Sequence, residues 1–347
     1  MPIFTEAELT QICLNMLQSV GVLETEAEIV TKSMIDANLV GHDSHGIIHL
    51  PKYIQGIMDA SIRLDAKVEI DQESPSTAVL NGNWGLGPVI AKYAMELAVQ
   101  KAEQTDISSV AVRNCNEVGR LGGYGLVATD QKMISIISVN DHGSGQCVVP
   151  DGGIEAKLST NPIVYAIPIA GQEPIILDMS TSVVASGKIR IKKNRGESVP
   201  KGWIVDSKGN STTNVDDFYG PPPGALLPLG GIASHKGFGL SLIVDILSGA
   251  LGGGGCSREE ASRLGNGFFA IIIKVDSFTE FSAFSQEVKR LIKYVKSTQR
   301  SSGVEEVYIP GERGFRERDQ RCRKGIVIEE ETWITIQATA KDCQVQL

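Results

Sequence analysis

Three of the five histidines in this 347-residue chain, His42, His45 and His49, fall within eight positions, in GHDSHGIIHLPKYI. Imidazole changes protonation near neutrality, with an ordinary pKa of ~6.5, so the cluster suits either metal binding or proton transfer. A metal site would need imidazoles on one helical face. Gly41, Gly46 and Pro51 interrupt helical regularity, and no downstream pattern completes a zinc set, so no metal is expected. Proton transfer needs only one well-placed imidazole. Ser44 and His45 beside Gly46 put a hydroxyl and an imidazole next to backbone with room for a small ligand. The plain alternative is a hydrogen-bonded polar loop with no chemistry.

Three other polar segments interrupt apolar surroundings. Ser159, Thr160 and Asn161 precede the run IVYAIPI, and Asp178, Met179, Ser180, Thr181 and Ser182 close the run PIILDMS with its neighbours. Hydroxyls and amides at strand ends can hydrogen-bond a ribose, a pyrophosphate or a carboxamide, although the same residue types also serve as turn and cap residues. In SHKGFG, His235 and Lys236 precede Gly237 at an apparent helix start, which suits an anion. The chain contains no G-x-G-x-x-G, no P-loop and no G-x-S-x-G elbow, so the common nucleotide and hydrolase templates fail. The run Gly252–Gly255 follows an apolar helix and reads as its stop.

The elements that must position these groups differ along the chain. Two capping boxes, Thr5 with Glu8 and Thr25 with Glu28, predict helices ahead of Gly21 and Gly41. A third helix is predicted from Pro88 to about Glu103. Short strand-like runs follow: ISSVAV, MISIISV, IVYAIPI, PIILDMS and FFAIIIKV. Between them lie predicted helices at 121–130 and 238–251, the second strongly apolar, then an amphipathic helix over 278–298. Beyond Val304 a charged loop and one final helix are expected. A helical start, a mixed middle and a helical return predict an α+β fold. The expected organisation is a helical region over 1–75, a mixed αβ core over 76–300, and a return over 301–347.

Composition narrows the function classes. Lys plus Arg number 33 against 41 Asp plus Glu, a net charge of −8, which offers no field for nucleic acid or an anionic membrane. No apolar stretch approaches the ~18 residues of a membrane span. The start, MPIFTEAELTQ, does not read as a signal peptide, and the six cysteines are scattered without a C-x-x-C pair. A cytoplasmic protein with reduced thiols is expected. Glycine, at 37 residues, is enriched, which suggests tight turns or backbone close to a ligand.

Together the segments carry more than each alone. GHDSHGIIHLPKYI, VGRLGGYG, AKLSTNPIVYAIP, ILDMSTS, SHKGFGLSLIVDILSGAL and IPGE occur here in one order. That series resembles the malate/L-lactate dehydrogenase family of the second type, which includes ureidoglycolate, sulfolactate and diketogulonate oxidoreductases. The resemblance implies a non-Rossmann, mixed-sheet cofactor domain joined by helices from both chain ends. It also implies a homodimer, NAD or NADP as cofactor, and a small 2-hydroxy or 2-oxo acid as substrate. By the same resemblance His45 is the proton donor and acceptor, with Ser44 hydrogen-bonding the substrate. Ser159–Asn161, Asp178–Ser182, His235–Gly237 and Pro310, Gly311 and Glu312 correspond to the cofactor site.

Two positions depart from the family pattern. His49 stands where many members carry an arginine for the substrate carboxylate, and Glu117 stands where many carry a histidine. Three outcomes follow from the sequence: an unusual substrate, a positive charge supplied instead by Arg120 and Lys236, or a cofactor-binding member with weak or altered catalysis. The basic stretch Lys192, Lys193 and Arg195 is either a contact for a cofactor phosphate or a solvated loop.

Overall fold

The two ends of the chain are tied together in the computed structural model, which describes residues 1–347 apart from 142, 144 and 260–262. Strand β1 (Ile3–Phe4) pairs antiparallel with β12 (Ile326–Val327), and the Phe4 and Trp333 rings pack at 4.6 Å. Thr5 then opens α1 (Glu6–Ser19) with the reciprocal Thr5–Glu8 cap that the sequence predicts. The second predicted cap does not form. Helix α2 (Glu24–Leu39) is entered through Leu23 with no side-chain cap, which leaves Thr25 inside its first turn. Val22 is drawn into the core and sets the entry there.

Helices α1, α2 and α3 (Leu50–Met58) share one core with residues from the other end of the chain. Leu9, Met16, Leu17, Met34 and Ile54 pack with Ile326, Ile328 and Ile336. The tail contains two helices, α10 (Glu312–Lys324) and α11 (Glu330–Asp342), where one was expected. The charged segment beyond Val304, expected as a loop, folds into α10. It buries no residue, and ion pairs hold it: Arg316 to Glu306 at 2.7 Å, Arg318 to Glu173 at 2.7 Å, and Arg321 to Asp43. Apolar periodicity therefore carries no sign of it.

The middle of the chain is a mixed seven-stranded sheet. Its spatial order is β2 (Glu69–Glu73), β3 (Thr77–Asn81), β4 (Ile107–Cys115), β11 (Asn266–Lys274), β5 (Met133–Asp141), β6 (Ile163–Ile167) and β7 (Ile175–Met179). Only the β3–β4 pair is parallel. The sequence carries no strand signal for β2, because EIDQE is exposed along its whole length, and β3, TAVLN, alternates over only five residues. On one face lie α4 (Gly87–Thr105), opened by Pro88, and α5 (Gly122–Thr129). The small Ala91, Ala94 and Ala98 let α4 lie close over Val110, Val112, Phe268 and Ala270.

Helix α8 (His235–Asp245) packs on the other side and continues through a π turn, Ile246–Ala250, before the glycine run. It begins three residues earlier than expected and is oriented against its composition. Apart from Val244, its inward residues are small or polar. Ser248 hydrogen-bonds Ser138 at 2.9 Å, and Asp245 accepts from Asn140 at 2.6 Å. Leu240, Leu242, Ile243, Ile246 and Leu251 face outward and are exposed. A smaller body completes the fold. Helices α6 (Ser186–Asn194) and α7 (Val215–Tyr219) and the short strands β8 (Ile204–Val205), β9 (Ser211–Thr212) and β10 (Ala225–Leu226) enclose Ile189, Ile204, Val215 and Leu226. Helix α9 (Phe281–Lys296) is the amphipathic helix predicted. Among the described residues no helix is long and apolar enough to cross a membrane.

Candidate active site

Where the helical layer meets the sheet and the smaller body, a cleft of about 1260 Å³ opens. That exceeds the ~300–1000 Å³ usual for one drug-sized ligand, so a small acid would fill only part of it. The turn from His42 to His49 forms one wall. Asn38, buried in α2, donates from its amide to Asp43 at 2.7 Å and accepts from the Ile47 N–H at 2.8 Å. A Cβ on Gly46 would sit 2.2 Å from Asn38 Oδ1, so only glycine fits between them. From the far end of the chain, Arg321 donates to both Asp43 oxygens, at 2.5 and 3.1 Å, and to the Asn38 carbonyl at 2.7 Å. The C-terminal region thus grips the turn that carries the histidines.

Within that turn Ser44 Oγ lies 3.0 Å from His45 Nδ1. With Nδ1 engaged, Nε2 is the nitrogen left for a ligand. Burial pulls the His45 imidazole below its ordinary value, opposed by the nearby Glu117 and Asp178 carboxylates and reinforced by His49 and Arg120. The neutral form, a base, therefore prevails at neutral pH. His49 is occupied on both nitrogens: Nε2 donates to the Ser44 carbonyl at 2.7 Å, and Nδ1 faces Glu117 Oε1 at 3.2 Å. Lys52 reaches the other Glu117 oxygen at 2.5 Å. Burial would raise the Glu117 carboxyl, but His49 and Lys52 outweigh it and hold the group far below the usual carboxylate range.

Arg120 is differently placed. It lines the cleft, its side chain is 13% exposed, and its Nε has no hydrogen-bond partner. The nearest carboxylate oxygen, on Asp178, stands 3.5 Å away and already accepts from the Gly122 N–H at 2.8 Å. A buried guanidinium with an unused donor suits a ligand carboxylate.

Of the residues singled out in the sequence, the cleft brings together Ser44, His45, His49, Glu117, Arg120, Ser159, Thr160, Asn161, Asp178, Met179, Ser180 and Ser182. Thr181 stands behind them, its hydroxyl donating to the Thr160 and Asn161 carbonyls at 3.0 Å. Asn161 donates to the Ser241 carbonyl at 3.1 Å, while its buried Oδ1 has no partner. His235, Lys236 and Gly237 are not in the cleft wall; Gly237 donates its N–H to the carbonyl of Leu229, which is. Pro310, Gly311 and Glu312 also lie outside it, where Pro310 accepts from Ile176 N in β7 at 3.1 Å. Lys192, Lys193 and Arg195 each pair with a carboxylate, on Glu197, Asp216 and Glu329. Lys188 and Arg190 of the same helix instead face the cleft, beside Trp203, Phe218 and Tyr219.

Several residues in or behind the cleft wall were missed in the sequence. Asp141 ends β5 there, and burial pushes its carboxyl up to about 6 against the N–H groups of Gly143 and Gly145; its Oδ1 has no partner. Lys52, Asn38 and Arg321 join the site only through the fold. Asp141 alone had a usable cue, an acidic residue ending an apolar strand ahead of glycines. Among the described residues no group of three or more His, Cys, Asp or Glu is arranged to hold a metal ion.

Comparison with known proteins follows the same lines. Residues 4–337 match the family described as malate/L-lactate dehydrogenase. The malate dehydrogenase of Pyrococcus abyssi is 40% identical over 92% of this chain and 89% of its own. The L-sulfolactate dehydrogenase of Methanocaldococcus jannaschii is 36% identical over 90% and 89%. The solved malate dehydrogenase of Pyrococcus horikoshii superposes with a TM-score of 0.90 at 35% identity, covering 99% of this chain and 96% of that one.

Proposed function

The chain belongs to the malate/L-lactate dehydrogenase family and is an oxidoreductase acting on CH–OH groups of hydroxy acids; from that premise we propose an NAD(P)-dependent interconversion of a 2-hydroxy acid and its 2-oxo acid with His45 as acid–base. The observation that carries this reading is one cleft lined both by the Ser44–His45 pair and by Arg120, whose buried Nε has no hydrogen-bond partner and only a 3.5 Å ion pair to Asp178.

In oxidation, neutral His45 Nε2 takes the proton of the substrate hydroxyl as the carbonyl forms. In reduction, the protonated ring returns it to the carbonyl oxygen, where negative charge develops. Such acid–base help is worth about 10²–10⁴ in rate. Arg120 holds the substrate carboxylate, the role that His49, committed to Ser44 and Glu117, does not fill.

The rest of the cleft fits a nicotinamide cofactor, which when bound supplies or accepts the hydride. Asn161 Oδ1, buried and unpartnered, is an acceptor for an amide N–H. Ser159, Thr160, Asp178, Met179, Ser180 and Ser182 line the same wall, with Thr181 behind them. Lys188 and Arg190, which line the cleft with Trp203 and Tyr219, supply positive charge for a 2′-phosphate, which would favour NADP over NAD.

A homodimer formed through the outward apolar face of α8 accounts for its exposed Leu240, Ile243 and Ile246. In that dimer His235 and Lys236, at the start of α8, act at or near the interface. The six free cysteines support a cytoplasmic setting. The division into 1–75, 76–300 and 301–347 describes how cofactor core and helical layer share the site.

Consumption of NADH and NADPH by purified protein against a panel of 2-oxo acids tests the reading. Pyruvate, oxaloacetate, branched and aromatic acids and cyclic imines should all be included. Turnover with at least one acid is expected. Silence across the panel with cofactor binding intact would replace it with the cofactor-binding alternative.

A further inference from the structure

From the contacts around the catalytic turn we propose that Glu117 is a positioning residue, which through His49 and Ser44 holds His45 in place and sets the field on its ring. The proposal rests on the acid–base reading of His45 given above.

Four contacts run in series. Lys52 Nζ meets Glu117 Oε2 at 2.5 Å, and Glu117 Oε1 meets His49 Nδ1 at 3.2 Å. His49 Nε2 donates to the Ser44 carbonyl at 2.7 Å, and Ser44 Oγ lies 3.0 Å from His45 Nδ1. The two imidazoles stack at 6.0 Å with 26° between their planes. Glu117 is itself fixed. Its carbonyl accepts from Tyr53 Oη at 3.3 Å and lies so close to the start of α4 that a Cβ on Gly87 would be 2.0 Å from it. A rigid carboxylate that orients an imidazole, which in turn orients its neighbour, follows the logic of outer-shell support in catalytic sites.

The groups acting on His45 come from every side of the turn: Glu117 and Asp178 favour its protonated form, while His49 and Arg120 oppose it, and His42 lies beside it. Glu117 is the foremost favourable charge. Lys52, exposed and paired to Glu117, screens that charge. Removing Glu117 and removing Lys52 must therefore move His45 in opposite directions, which a merely structural role for either would not do.

The test is an NMR titration of the His45 ring in the unliganded protein, assigned by its loss in His45→Gln and compared among wild type, Glu117→Gln and Lys52→Met. Glu117→Gln is expected to lower the His45 midpoint by about half a unit to one unit, and Lys52→Met to raise it by a smaller amount. Glu117→Asp, which keeps the charge, should restore most of the lost shift. In turnover, Glu117→Gln should lower kcat about tenfold with the cofactor KM unchanged. Midpoints within 0.2 units of wild type in both variants, or shifts of the same sign, would overturn the proposal. Because the titration needs no substrate, its outcome stands apart from whether the protein turns over a 2-oxo acid. Lys52 is exposed, so its variant folds even where Glu117→Gln does not.

Discussion

Replacing Arg321 by Met would test whether helix α10 holds the turn that carries His45. Arg321 donates to both oxygens of Asp43 and to the Asn38 carbonyl, and pairs with Glu317 at 2.6 Å. Breaking a buried ion pair costs about 3–5 kcal/mol. Arg321 is 17% exposed but Asp43 is 37% exposed, so solvent screens part of this. Counting the carbonyl bond as well, a loss of about 2–3 kcal/mol is expected. At ~2.1 cal/mol/K per residue, a chain of 347 residues unfolds with an entropy of about 0.7 kcal/mol/K, so Tm should fall by about 3–4 °C. Asp43 is next to Ser44 and two residues from His45. A displacement of about 1 Å there would lower kcat about 10²-fold. Arg321→Lys keeps the charge without the two-pronged grip and should recover only part of the rate. The assays are thermal unfolding and initial rates with saturating cofactor. A variant with unchanged Tm and kcat within twofold of wild type would show that Arg321 does not hold the turn.

Arg120→Lys should raise KM for the 2-oxo acid about 10²-fold with little effect on cofactor KM, read from initial rates at varied substrate, because lysine cannot reproduce a planar guanidinium's donors. Gly46→Ala should destabilise the protein by about 2–4 kcal/mol in denaturant unfolding, since its Cβ would lie 2.2 Å from Asn38 Oδ1 and disrupt the Asn38–Ile47 bond. Asp141, pushed up to about 6, loses its charge as pH falls through that value. Asp141→Asn should therefore remove one ionisation near pH 6 from the kcat/KM profile, leaving the His45 limb below the ordinary histidine range.

The candidate site was legible in the sequence where residue types cluster in the chain. His45, Ser44 and the STNP and DMSTS segments are local patterns, and the fold brings them to one cleft. The cap at Thr5 and the strands of β4, β5 and β11 were equally readable, because local hydrogen bonding and apolar periodicity specify them. What escaped has a common cause. Arg321 reaches Asp43 across 278 positions, and no local pattern marks such a pair. Helix α10 lacks an apolar stripe because ion pairs hold it. The apolar composition of α8 suggested a core helix, yet apart from Val244 its inward face is Gly237, Ser241, Asp245, Ser248 and Gly249. Composition tells how apolar a helix is; tertiary context decides which side is covered. The departures at His49 and Glu117 were visible as substitutions, but only the geometry showed that they form a pair with each other.

In the proposed reaction His45 moves the proton. Turnover of the preferred 2-oxo acid by wild type and His45→Gln, with cofactor binding measured separately by fluorescence titration, tests it most directly. A loss of about 10²–10⁴ in kcat is expected, with cofactor affinity within about twofold of wild type. Near-native turnover by a folded His45→Gln protein would contradict it.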